Sequence, residues 1–302
     1  MIPHFPNFKK LTLDHKNEIE SYVKKYPHYS DYNFTSLWTY NTEESIEICF
    51  LNNNLVIKFI DYITNKPFYS FLGTTNVINT IEQLFIYAQK NKIDQRLKLI
   101  PEIVIQTNEH INQNFIVMED LNNHDYIVSA KEIAFLPKEK FHRKRYLVEK
   151  FKRKYPDYKV VLMDLRKERD QKEIFSLFFL WEKMADRDRS DTKNELIAIK
   201  RLISSIHHFN IFALGIYHNN KLIAFNIYEI SHNKHGVSAF QKADKSYTGI
   251  YSILSHEVAK HLYSLGCEYI NYEQDLGIEG LRLSKSLWKP THYLKKYIIS
   301  PK

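Results

Sequence analysis

The chain has 302 residues, with 43 Lys and Arg against 35 Asp and Glu, a formal charge of +8 and a sequence pI near 9.1. No apolar run approaches the roughly 20 residues of a membrane-crossing helix, and no apolar stretch of a secretory leader follows the opening MIPHFPNFKK. Cys49 and Cys267 lie far apart and the 14 histidines show no metal spacing, so a cytoplasmic protein without a metal site is expected, its basic balance favouring phosphate-bearing partners.

In chain order, SIEICFLNNNLVIKFID (45–61) alternates apolar and polar residues around an Asn turn and predicts a β-hairpin. PFYSFLG (67–73) predicts a third strand. NVINTIEQLFIYAQKN (76–91) carries Ile78, Ile81, Leu84, Phe85 and Ala88 at helical spacing. EIVIQT (102–107) is read as a further strand. KEKFHRKRYLVEKFKRKYP (138–156) predicts an amphipathic helix with Phe141, Val148, Phe151 and Tyr155 on its apolar side.

The second half repeats the hairpin–strand–helix–strand order. YKVVLMDL (158–165) predicts a strand, followed by helices over 170–185 and 193–209. Between them, Asp186-Arg187-Asp188-Arg189 is read as a solvated loop or a lid. IFALGIYHNNKLIAFNIYEI (211–230) predicts a hairpin turning at His218-Asn219-Asn220, HGVSAFQKA (235–243) a third strand, and YSILSHEVAKHLYSLG (251–266) a helix ended by Gly266. CEYINYE predicts the closing strand. Two mixed α/β domains follow, 1–128 and 129–302, with no low-complexity linker between them.

Strand, two helices, three antiparallel strands, helix, strand is the order of the GNAT acyltransferase fold, so a tandem GNAT-like protein is expected. There the loop before the last helix offers backbone N–H groups to a diphosphate. Here it reads KADKSYTGIYS (242–252), with one glycine, Gly249, and a bulky Tyr251 where a small residue is wanted. That departure argues mildly against a CoA diphosphate; Gly249 as a plain helix-entry turn stays open.

NYEQDLGIEGLRLSKSLWKP (271–290) crowds Glu273, Asp275, Glu279, Arg282 and Lys285 beside Gly277 and Gly280, two of only 7 glycines. A helix over 279–287 would bring Glu279, Arg282 and Lys285 along one side, anchor Leu281 and Trp288 on another, and stop at Pro290. The expected structure is a rigid turn aiming charges into a cleft. A buried salt-bridge cluster is the structural alternative.

DYIVSAKEIAFLPKEKFHRKRYLVEKFKRKYPDY (125–158) followed by NYEQDLGIEGLRLSKSLWKPTHYLKKY (271–297) resembles the C-terminal domain family of phosphatidylglycerol lysyltransferases, especially its stand-alone soluble members. YSDYNFTSLWTYN (29–41) resembles that family's N-terminal segment. The resemblance implies a tandem GNAT fold, shared with the Fem peptidyltransferases, and transfer of an aminoacyl group from aminoacyl-tRNA. It implies oxyanion or tRNA 3′-end binding by Lys285, which aligns with the lysine of a Leu-Arg-x-Tyr-Lys motif. Arg282 is suited to bidentate carboxylate or phosphate binding. Asp275 and Glu273 are candidates for the general base or for gripping the ammonium of the aminoacyl group, Glu279 and Tyr251 for substrate contacts. Arg143, Lys144 and Arg145 fall in the family's basic motif and are expected to meet phosphates of the tRNA acceptor arm or of an anionic membrane. No organic cofactor is expected beyond the donor. Two other readings stay open: an acyl-CoA-dependent N-acyltransferase, with acetyl-CoA or another acyl-CoA as donor, and a binding protein that kept the fold without the chemistry.

Overall fold

A computed structural model describes residues 1–61, 64–108, 110–184 and 189–302. The charged stretch Asp186-Arg187-Asp188, and the Arg189 side chain, lie outside what is described. Strands run in chain order as β1 (Lys9–Lys10), β2 (Glu47–Leu51), β3 (Asn54–Ile60), β4 (Pro67–Leu72), β5 (Leu97–Pro101), β6 (Ile116–Glu119), β7 (Asp125–Ser129), β8 (Lys159–Met163), β9 (Ile211–His218), β10 (Lys221–Ser231), β11 (His235–Ala243), β12 (Tyr269–Asn271), β13 (His292–Leu294) and β14 (Lys296–Ser300). The helices that matter here are α1 (Val77–Lys90), α2 (Ala130–Phe135), α3 (Lys138–Lys154), α4 (Glu168–Met184), α5 (Arg189–Ser204), α6 (Ile250–Ser264) and α7 (Glu279–Ser286).

Two compact units result. The first comprises Met1–Asp125, Gln274–Leu281 and Tyr293–Lys302; the second comprises Tyr126–Glu273 and Arg282–His292.

In the first unit, β2, β3 and β4 form an antiparallel meander with β1 on its edge. Its turn is Asn52-Asn53, both in left-handed conformation (φ 50° and 62°), the geometry a two-residue hairpin needs and Asn tolerates. Helix α1 follows and packs Ile81, Leu84, Phe85 and Ala88 against Cys49, Val56 and Phe71. The expected strand over 102–107 is instead a helix, Glu102–Gln106. Pro101 stands before it and Glu102 in its first turn, both favourable helix starts. The strand here is the preceding β5, which pairs with β14 in a three-stranded sheet completed by β6.

The second unit repeats the meander as β9–β10–β11, turning at Asn219-Asn220 (φ 49° and 59°). Edge strand β8 pairs antiparallel with β9, and β12 joins β11 in parallel and β7 in antiparallel sense. Successive residues feed opposite faces. Leu214, Ile216 and Tyr228 enter a core with α2, α3 and α6, whereas Ala213, Phe225 and Ile227 enter one with α4 and α5. Both faces are therefore dry, which explains the near-continuous apolar run of β10. Strand–helix–helix–meander–helix–strand is the GNAT order that the sequence predicted. The expected closing strand is shorter than CEYINYE, only Tyr269–Asn271.

Candidate functional site

Strand β12 pairs with β11 over only three positions, His235 to Val237 against Tyr269 to Asn271. Beyond them β11 runs on to Ala243 with no partner on that side among the described residues. Gln241 there donates to the hydroxyl of Ser255 on α6 (3.1 Å). Opposite β10, the register slips at Ile227/Tyr228, so β11 carries an extra residue, Ala239. An edge that opens between two strands, next to a helix N-terminus, can admit an extended substrate.

The loop entering α6 is held by its own side chains. The carboxylate of Asp244, buried, accepts from the N–H (3.0 Å) and hydroxyl (2.6 Å) of Ser246. Gly249 is left-handed (φ 86°), and a Cβ there would lie 2.7 Å from the carbonyl oxygen of Leu147 on α3. Gly249 thus has a structural reason to be glycine, close packing of this loop on α3. Tyr251, on the first turn of α6, is half-buried against the core.

Helix α3 carries the basic motif, and its residues go different ways. Arg143 and Arg145 are exposed, Arg145 reaching the carbonyl of Leu136 at 3.5 Å. Lys144 instead lies on the buried stripe, three residues after Phe141 and four before Val148. Its ammonium sits 4.1 Å from the ring centroid of Trp288, a cation–π contact. Burial, and then the neighbouring Arg143, lower its pKa to about 8. No carboxylate pairs with it among the described residues.

Trp288 is 5% exposed and touches the rings of Phe141 and Tyr272 (both 6.5 Å). One turn earlier, the ammonium of Lys285 donates to the Tyr272 carbonyl, and the Lys285 carbonyl accepts from Trp288 N–H (3.0 Å). The second unit therefore gathers Lys285, Trp288, Tyr272 and Lys144. Glu273 and Arg282 belong to the same unit. Glu273 is left-handed (φ 57°), an unusual state for a non-glycine residue; its N–H is held by the Asn271 side chain (2.6 Å) and its carbonyl by Tyr126 N–H (3.3 Å). Arg282 is exposed.

Asp275 and Glu279 count with the first unit. Asp275 is fully buried, and its Oδ1 accepts from Gly277 N–H (2.8 Å), so it closes a turn. Gly277 is left-handed (φ 74°) and abuts Asn122. Gly280 is not left-handed, and a Cβ there would meet nothing, so the tight-turn argument holds for Gly277 alone. Glu279 opens α7 and is exposed; Leu281, expected as a core anchor, is half-buried, and Trp288 fills that role.

Sequence reasoning missed a charged cluster in the first unit. Lys296 and Asp125 are both 0% exposed. Lys296 donates to Asp125 (2.8 Å) and forms an ion pair with Asp31. Ser30 donates its N–H (2.7 Å) and hydroxyl (2.6 Å) to Asp125, and the Gln274 amide donates to Asp31 (3.2 Å). Burial raises the Asp31 pKa, against the pull of Lys296. In the sequence Lys296 stands beside Lys295 at the head of the strand KYIIS, and nothing there marks it as buried or points to a partner. Among the described residues no group of His, Cys, Asp and Glu is arranged to hold a metal ion. No helix among them is long and apolar enough to cross a membrane.

Paired antiparallel meanders each followed by a helix and a strand, with the second sheet opening at β11, define a mixed α/β protein of GNAT-like architecture. The chain belongs to the phosphatidylglycerol lysyltransferase C-terminal family, which matches residues 24–300. A conserved protein of unknown function from Bacteroides thetaiotaomicron superposes with TM-score 0.85 at 24% identity, each chain covered in full. The L-PGS of Bacillus licheniformis gives TM-score 0.62 at 11% identity, covering 100% of this chain and 94% of that one. The DUF2156 C-terminal domain of a protein assigned as a lysylphosphatidylglycerol synthetase from Agrobacterium fabrum gives 0.64 at 11% identity, covering 95% and 92%. At these identities the likeness is one of fold. No curated protein matches the chain.

Proposed function

We propose that this protein is an aminoacyltransferase that takes its acyl group from aminoacyl-tRNA and gives it to an amine or hydroxyl of a lipid head group, a peptide or a small molecule. The observation that carries the reading is the contact of Lys144 with Trp288, whose ring meets that of Tyr272, the residue whose carbonyl holds the Lys285 ammonium, inside the unit whose sheet opens at β11. Family membership agrees with it.

The donor ester is already activated, so the work left is positioning, proton removal and charge stabilisation. The acceptor's lone pair attacks the ester carbonyl, and the carbonyl oxygen gains negative charge. The acceptor proton passes to a base, and the bond to the ribose oxygen breaks as that oxygen takes a proton. Lys285, held by the Tyr272 carbonyl, is the group assigned to the oxyanion. Glu273 serves as base or as ammonium grip, and Arg282 meets a phosphate or carboxylate. Tyr251 contacts the substrate. Asp275 fixes its own turn by accepting from Gly277 N–H. The exposed cations of α3, Arg143 and Arg145 among them, follow the RNA backbone or rest on an anionic membrane.

A CoA donor is disfavoured by the loop before α6, where the Asp244 carboxylate already takes the N–H and hydroxyl of Ser246 and Tyr251 stands where a small residue is wanted. The test is total tRNA charged with labelled amino acids, mixed with an acceptor extract, beside an acetyl-CoA titration. Salt-dependent tRNA binding with label passing to an acceptor is expected. Saturable acetyl-CoA binding without tRNA binding would overturn the reading, and binding of neither would leave a protein without the chemistry. Lys285→Met is expected to lower transfer by about 100-fold or more with little change in melting temperature. A large fall in melting temperature with transfer intact would remove Lys285 from the site.

A further inference from the structure

Gln241 lies on the stretch of β11 that has no neighbour on one side among the described residues, directly opposite Asn226 of β10. Its amide nitrogen donates to the hydroxyl of buried Ser255 on α6 (3.1 Å). The Ser255 proton is committed elsewhere. Burial raises the pKa of the Tyr272 phenol, and a hydrogen bond with Ser255 works against that rise, as only a donor to the phenol oxygen would. A hydroxyl that donates to Tyr272 can only accept from Gln241, so the Gln241 amide cannot be turned over. Its Oε1 faces away from Ser255 as an acceptor, and no described residue donates to it. Asn226 does not compete, because it exchanges hydrogen bonds with Ser238 (2.9 and 3.3 Å). Lys242, the next residue, is turned to the other face, onto Glu195 and Trp181. The Tyr272 phenol is the opposite case. Having accepted from Ser255 it keeps a proton to give, while its carbonyl holds the Lys285 ammonium. Half-buried Gln241 and Tyr272 thus present one acceptor and one donor, joined through a single serine hydroxyl.

We propose that Gln241 is the residue that tells an aminoacyl ester from a plain acyl group, its Oε1 accepting from the substrate's α-ammonium. An ammonium one carbon from a carbonyl carries a donor and an acceptor close together, the complement of Gln241 and Tyr272. A plain acyl group has nothing to give Gln241 and leaves its carbonyl stripped of water without a partner. With the ammonium taken by Gln241, Glu273 keeps the part of base. That the ammonium belongs to the donor ester rests on the function proposed above; an ammonium site at Gln241 does not.

Two measurements separate the inference from that reading. Glycinamide carries the ammonium and the carbonyl alone, and acetamide lacks the ammonium. In isotope-labelled protein the side-chain amide signals of Gln241, identified by their loss in Gln241→Leu, are expected to shift saturably with glycinamide and not with acetamide. No shift with glycinamide, or equal shifts with both, would overturn the ammonium site whatever the protein transfers. The second measurement is release of label from total tRNA charged with labelled amino acids, before and after N-acetylation, which removes the charge. The native donor is expected to be used with kcat/KM about tenfold or more above the acetylated one. Gln241→Leu is expected to lower kcat/KM for the native donor about tenfold and so to erase the preference, while Gln241→Glu, still an acceptor, keeps it. A preference unchanged in Gln241→Leu would overturn the role in specificity. A glycinamide shift without use of either charged tRNA would leave the ammonium site standing and remove the donor reading.

Discussion

A Cβ on Gly249 would press into the Leu147 carbonyl, and one on Gly280 would meet nothing. The two glycines look alike in sequence, and their substitution is expected to differ. Gly249→Ala should cost about 2 kcal/mol or more, combining left-handed strain with a backbone clash, whereas Gly280→Ala should be neutral or stabilising by about 0.5–1 kcal/mol. Urea unfolding of both variants checks this. Lys144 predicts a pH dependence of the same sign as a carboxylate with a depressed pKa, but placed in the alkaline range. Its pKa falls from 10.5 unfolded to about 8 folded, so between those values the unfolded chain binds the extra proton. Stability therefore rises as pH climbs from about 8 to 10.5, relative to Lys144→Met, and is penalised below 8. Parallel pH series of denaturant midpoints decide it; two parallel curves would show that Lys144 is solvated. The basic motif around Lys144 was legible in the sequence, as was its place between Phe141 and Val148. The absence of a counter-charge was not, because that depends on segments remote in the chain.

Both meanders turn through paired left-handed asparagines, Asn52-Asn53 and Asn219-Asn220, and the polar–apolar alternation around each marked them as hairpins. Replacing Asn220 by Gly should leave stability unchanged or slightly raised, while Val there should cost about 1–2 kcal/mol, since a β-branched side chain resists positive φ. Calorimetric melting of the pair of variants measures it. The residues EIVIQ show where local propensity fails. Their β-branched content suggests a strand, yet β5 immediately before them already occupies the edge of β14, and the chain turns helical behind Pro101. Central strands and long helices were legible because burial on one or two faces stamps a period on the sequence. Short elements such as Glu102–Gln106 carry too few residues to do so.

At the scale of the whole molecule, the chain passes between the two units after Asp125, Glu273, Leu281 and His292. The last ten residues return to the first unit, where β14 is the central strand between β5 and β6 and Lys296 meets Asp31 and Asp125. Residues 1–125 expressed alone are therefore expected to lack a cooperative unfolding transition, because they keep two buried carboxylates and lose both their cation and their central strand. In the full chain Lys296→Met should cost about 3–5 kcal/mol, the loss of one partner from a buried pair. The deficit against wild type should shrink as pH falls and the stranded carboxylates take up protons, which a pH series of melting temperatures reads directly. The sequence by itself determined the order of strands and helices, the two-residue turns and the basic motif of α3, because periodicity, turn chemistry and charge are local properties. Only the tertiary structure decided that Lys296 closes a cluster with Asp31 and Asp125, that Asp275 is a buried turn residue, and that Lys144 rests on Trp288 with no acid paired to it among the described residues. Those outcomes depend on which distant segments remove water from a charge, and no local pattern records that.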